Sequence, residues 1–129
     1  MVAILSIEQD QTFLNIQKQF NDIYPYLKIE FFSEPHLPMH LSPKNKMINA
    51  HLRISDIQKL NKTGKLAADE NMTVTQLEQA LENHFGLHAQ VFRKSGRIWL
   101  ETSATDSWTL KQQNEEGQSL QQHFDRDDN

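Results

Sequence analysis

The chain has no cysteine in its 129 residues, which removes a disulfide framework, a zinc ribbon and a thiol nucleophile at once. Glycine and proline are scarce, four of each. Three of the prolines, Pro35, Pro38 and Pro43, crowd into one stretch. No apolar run approaches the roughly 20 residues that a membrane-spanning helix needs. The opening MVAILSIEQD has only a short apolar segment, lacks the basic start of a signal peptide and turns acidic immediately, so a cytoplasmic location is the simplest expectation. No charge of one sign dominates. The formal net charge is -4, with six basic and six acidic residues through Leu60 and seven and eleven beyond it. That balance argues against non-specific binding to nucleic acid or anionic lipid. No catalytic, metal-binding or phosphate-cradling motif stands out, and no cofactor is expected.

What remains is a chain of globular composition, 37% apolar and 23% charged, with a mean hydropathy of -0.67 that predicts polar loops or tails. Its length suits one domain with a modest core. Val2 to Ile7 has the length of a strand. From Phe13 to Tyr24, Phe13, Ile16, Phe20, Ile23 and Tyr24 recur at helical spacing, and Asp10 or Thr12 offers a cap. Pro25 ends that helix. Leu27, Ile29 and Phe31 then alternate with Lys28 and Glu30, the pattern of a half-buried strand.

The Pro-rich stretch 33–49 reads as a long loop. It holds His36 and His40, with His51 just beyond, and these three define a possible metal site or the basis of a small enzyme. Pro38 makes a helix carrying His36 and His40 together implausible, and solvated histidines in a polar loop are the plainer expectation. Ser55 to Lys62 suggests a short helix with Ser55 and Gln58 as a capping pair and Gly64 as its stop. Lys65 to Ala68 suggests a brief strand. The adjacent acids Asp69 and Glu70 fall in a polar turn, where paired carboxylates are ordinarily solvated rather than catalytic.

From Thr73 the pattern sharpens. Thr73 with Gln76, or Thr75 with Glu78, fits a capping box. Val74, Leu77, Ala80, Leu81 and Phe85 form an apolar stripe, and Gly86 followed by Leu87 supplies a left-handed stop. His84 beside the stripe reads as a packing residue. His88 to Glu101 reads as a β-hairpin with its turn at Lys94, Ser95 and Gly96. A two-residue turn sets Phe92 opposite Trp99 and Val91 opposite Leu100; a three-residue turn sets Phe92 against Ile98 and Val91 against Trp99. In either register Ile98 and Leu100 point one way and Trp99 the other. The expectation is that one face is core and that Trp99 needs cover. Trp108 supplies that cover if it packs beside Trp99 under a polar helix from Leu110 to Gln118. Alternatively Phe92, Arg93, Lys94, Arg97, Trp99, Glu101 and Trp108 form an interaction patch for another, unidentified protein, having the composition of a binding hot spot. Basic charge beside stacking aromatics at Arg93, Lys94, Arg97 and Trp99 also raises nucleic acid as a weaker candidate partner.

The run MTVTQLEQALENHFGLHAQVFRKSGRIWLETSATDSWTLKQQNEEG, Met72 to Gly117, resembles a small family of uncharacterised bacterial α/β proteins. The pieces that carry the resemblance are FGL at Phe85 to Leu87, QVFRKSG at Gln90 to Gly96, WLET at Trp99 to Thr102 and TDSWTL at Thr105 to Leu110. The resemblance implies kinship and a bacterial origin, and transfers no activity, cofactor or site residue.

Residues 118–129 are polar and acidic with only Leu120 and Phe124 as anchors, so order is expected to end at Gly117 and the remainder to be a disordered tail. The predicted fold is a single α+β domain over 1–117, with two layers and helices on one face of a small mixed or antiparallel sheet. A β-grasp-like arrangement and a ferredoxin-like duplication are the alternatives. The expected function is a non-catalytic protein-interaction or adaptor domain working through the aromatic hairpin. The alternatives are a metal-binding protein or enzyme using the loop histidines, or a nucleic-acid binder using the hairpin tip.

Overall fold

The structure, a computed structural model, describes residues 1–35 and 46–127. The element order is β1 (Val2–Ile7), α1 (Phe13–Ile23), β2 (Leu27–Phe32), α2 (Ile54–Ile57), β3 (Gly64–Asp69), α3 (Val74–Phe85), β4 (His88–Ser95), β5 (Ile98–Glu101), a 3-10 turn (Ser103–Thr105) and α4 (Leu110–Asp127). Thr12 caps α1, its hydroxyl accepting the Asn15 N–H. Thr73 and Gln76 form the reciprocal capping box of α3. Gly86 stops α3 with φ +64, and Leu87 donates its N–H back to the Leu81 carbonyl at 3.2 Å, closing a Schellman end.

The fold is α+β, and the strands form two small antiparallel sheets instead of one: β1 with β3, and β2, β4, β5 in that order. A ferredoxin-like duplication sets β3 between β1 and β2; here β2 takes β4 as its neighbour. The sheet margins show why the ladders stop. The Ser6 N–H donates to the Gln19 side chain at 2.9 Å, and on β2 the Leu27 carbonyl accepts from Asn21 at 2.8 Å. In both cases a polar side chain of α1 takes the place of a neighbouring strand. The Phe31 carbonyl accepts from Ile48 N–H.

One core unites the two sheets. Phe13, Ile16 and Phe20 of α1 pack with Leu5 and Ile7 of β1, Leu27, Ile29 and Phe31 of β2, Leu77 and Leu81 of α3, and Ala89 and Val91 of β4. The Phe13 and Phe31 rings lie 5.1 Å apart, and Phe20 and Tyr24 5.3 Å, both within the range of favourable aromatic pairing. Tyr24 is fully buried, and its hydroxyl donates to the Ala68 carbonyl at 2.6 Å. Burial, with the Asp69 and Glu70 carboxylates nearby, pushes its pKa up to about 12.

Several sequence expectations change. α2 is a single turn, with the Asp56 carboxylate accepting the Arg53 N–H at 2.9 Å in place of a Ser55–Gln58 box, and Gly64 opens β3 instead of stopping a helix. The largest change is at the C-terminal end, where α4 runs through Gly117 to Asp127 where a disordered tail was expected. After its first residue, Leu110, its buried positions are Gln113, Asn114 and Gly117, so apolar periodicity does not reveal it. Gly117 is a packing residue: a Cβ there would lie 2.8 Å from Tyr26 Cβ and 3.3 Å from Arg93 Cγ. The helix opens with its own capping box, Thr109 and Gln112.

Candidate interaction site

The hairpin has neither expected register. Its turn is Gly96–Arg97, and β4 pairs with β5 as Phe92 with Glu101, Arg93 with Leu100, Lys94 with Trp99 and Ser95 with Ile98. Gly96 holds φ +63, the left-handed value required at the first central position of a II′ turn. Placing Gly96 first rather than last in the turn moves each partner of β4 two residues along from the two-residue expectation, and three from the other.

This register divides the expected patch between two faces. Phe92, Lys94, Trp99 and Glu101 share one face with Lys28 of β2, which lies opposite Phe92. There Lys28 Nζ sits 5.2 Å from the Phe92 ring and 5.3 Å from Trp99, and Lys94 Nζ sits 5.0 Å from Trp99. Two ammonium groups thus hold one indole by cation–π attraction. Arg93 lies on the opposite face. Its guanidinium is 5.6 Å from the Trp108 ring and donates to Gln113 Oε1 at 2.7 Å. Gln113 in turn donates to the Thr105 carbonyl and hydroxyl at 2.7 and 2.9 Å. Trp108 is therefore neither lid nor neighbour of Trp99, because the two indoles sit on different cations across the sheet. Arg97, at the tip, lies 5.4 Å from the Phe124 ring, and Phe124 also backs Gly96, where a Cβ would meet it at 3.0 Å.

The basic residues proposed for nucleic acid are thus dispersed: Arg93 under α4, Lys94 on Trp99 and Arg97 on Phe124. Of the metal candidates, His36 and His40 lie outside the described residues. His51 is exposed, with its N–H bonded to Asn49 Oδ1. Among the described residues no three histidine, aspartate or glutamate side chains cluster as metal ligands. Of the turn acids, Asp69 accepts the Asn71 N–H and Glu70 pairs with the Met1 ammonium.

Alternation along the second strand holds, but Ile98 and Leu100 do not enter the core. They are 59% and 40% exposed, and Trp108, near Leu100 through Arg93, is 37% exposed. The reason is position: β5 is the terminal strand of its sheet, beyond the reach of α1 and α3. The upstream margin of β4 is closed differently. Glu78 of α3 accepts the Val91 N–H at 3.0 Å, and Thr102 donates its N–H and hydroxyl to the Val91 carbonyl.

Backbone direction follows from the same bonds. Lys94 N–H points to the Tyr26 carbonyl of β2 and Thr102 N–H to Val91 of β4. Ile98, Leu100 and Thr102 therefore turn their backbone groups toward β4, while Trp99 and Glu101 turn theirs outward. The residues that the sequence did not single out are Lys28, Gln113, Gly117 and the role of Phe124. Alternation places Lys28 on the outward face, but only the three-strand register brings it to Trp99.

No protein family, curated protein or solved structure matches the chain. Among the described residues, no helix is long and apolar enough to cross a membrane.

Proposed function

We propose that this protein is a non-catalytic interaction domain whose contact element is the β4–β5 hairpin, with a protein partner docking along β5 and beside Trp108. The observation that carries this reading is the exposure of Ile98, Leu100 and Trp108 on and beside a terminal strand. Aliphatic area left in water forgoes about 25 cal/mol per Å², and clustered apolar residues with a tryptophan and a neighbouring arginine have the composition of binding hot spots. A strand at the end of a sheet also offers backbone groups for a partner strand. The bracing agrees with such a role. α4 holds the hairpin from one side through Gly117, Arg93 and Phe124, so the contact surface is already ordered before a partner arrives. Absence of cysteine suits a reducing, cytoplasmic setting.

The test is a variant carrying Ile98→Thr and Trp108→Ser, both at exposed positions, compared with the parent chain by chemical cross-linking in cells. Circular dichroism melting establishes that the variant is folded. The expected result is loss of the cross-linked species, including any self-linked one. A folded variant that keeps every cross-linked partner at parental yield overturns the reading.

A further inference from the structure

We draw no further inference here: the strongest candidate, the recess of about 630 Å³ between β2, α2 and the C-terminal end of α3, has walls at Phe31, Phe32, Ile48 and Leu87 that are already buried, and nothing in the structure shows what covers the exposed Leu60 beside them.

Discussion

Two regions of this molecule are held together by different chemistry. Around α1, the contacts are aliphatic and aromatic: Phe13, Ile16, Phe20, Leu5, Ile29 and Phe31 are all buried in one cluster. Around α4 only the first residue, Leu110, joins that cluster; the other buried positions are Gln113, Asn114 and Gly117, and the aromatic residues are held by cations. Asn114 accepts the Tyr26 N–H at 3.0 Å, Gln113 links Arg93 to Thr105, and Arg97 lies over Phe124. The first region makes the fold. The second fixes a surface in place using hydrogen bonds that demand one geometry, and leaves Ile98, Leu100 and Trp108 in water. Apolar packing tolerates adjustment of shape, whereas a buried glutamine with three partners does not.

That contrast is broken most severely in the core. Phe20→Ala removes a fully buried ring and should cost about 3–5 kcal/mol, enough to unfold much of a small domain; denaturant titration measures it. Hairpin and α4 should be lost together with the core. Next in size is the alkaline limb of stability. Tyr24 has its pKa raised to about 12, so the folded state disfavours ionisation more than the unfolded chain, whose tyrosine titrates near 10. The contribution is fully present below about pH 10 and is lost as pH rises toward 12. It amounts to about 3 kcal/mol. Thermal melts at pH 9 and pH 12 should differ accordingly, and Tyr24→Phe should flatten that difference while lowering stability at neutral pH by removing the hydroxyl's buried hydrogen bond to the Ala68 carbonyl.

Gly117→Ala sharpens the comparison because it should separate the regions. Alanine is favoured over glycine in a helix by about 1 kcal/mol, yet its Cβ would stand 2.8 Å from Tyr26 Cβ and 3.2 Å from the Tyr26 carbonyl oxygen, so α4 must move away. A net loss of about 1–3 kcal/mol is expected. Amide exchange should accelerate in α4 and the hairpin and stay unchanged in α1 and β1. Lys28→Ala has the smallest effect, about 0.5–1 kcal/mol from contacts with Phe92 and Trp99, and should register chiefly as a change in Trp99 fluorescence.

The same contrast explains what could be read before the structure was known. Val2–Ile7, Leu27–Phe32, α1 and α3 announced themselves, since their buried residues are apolar and their caps, Thr12, Thr73 and Gly86, follow local rules. α4 past Gly117 is illegible because after Leu110 the helix buries only Gln113, Asn114 and Gly117, which read as a polar surface or a stop, and among the described residues beyond them none is buried. The turn was misplaced because Gly96 suits the first position of one turn type and the last of another, and local sequence carries nothing to choose between them. The candidate patch was legible as composition and not as arrangement. Arg93 and Lys94 are neighbours in sequence but face opposite sides of β4, and that parity sends Trp108 away from Trp99. The exposure of Ile98 and Leu100 depends on β5 being the last strand, a property of the whole sheet.

The claim that the hairpin edge is a contact surface is tested most directly at a single backbone group. The Trp99 N–H points away from β4, so its exchange with solvent, followed by NMR on the purified chain and on the chain inside cells, should be markedly slower in cells, while the Leu100 N–H, directed at β4, stays protected in both. Exchange at Trp99 that is equally fast in both settings would contradict the account.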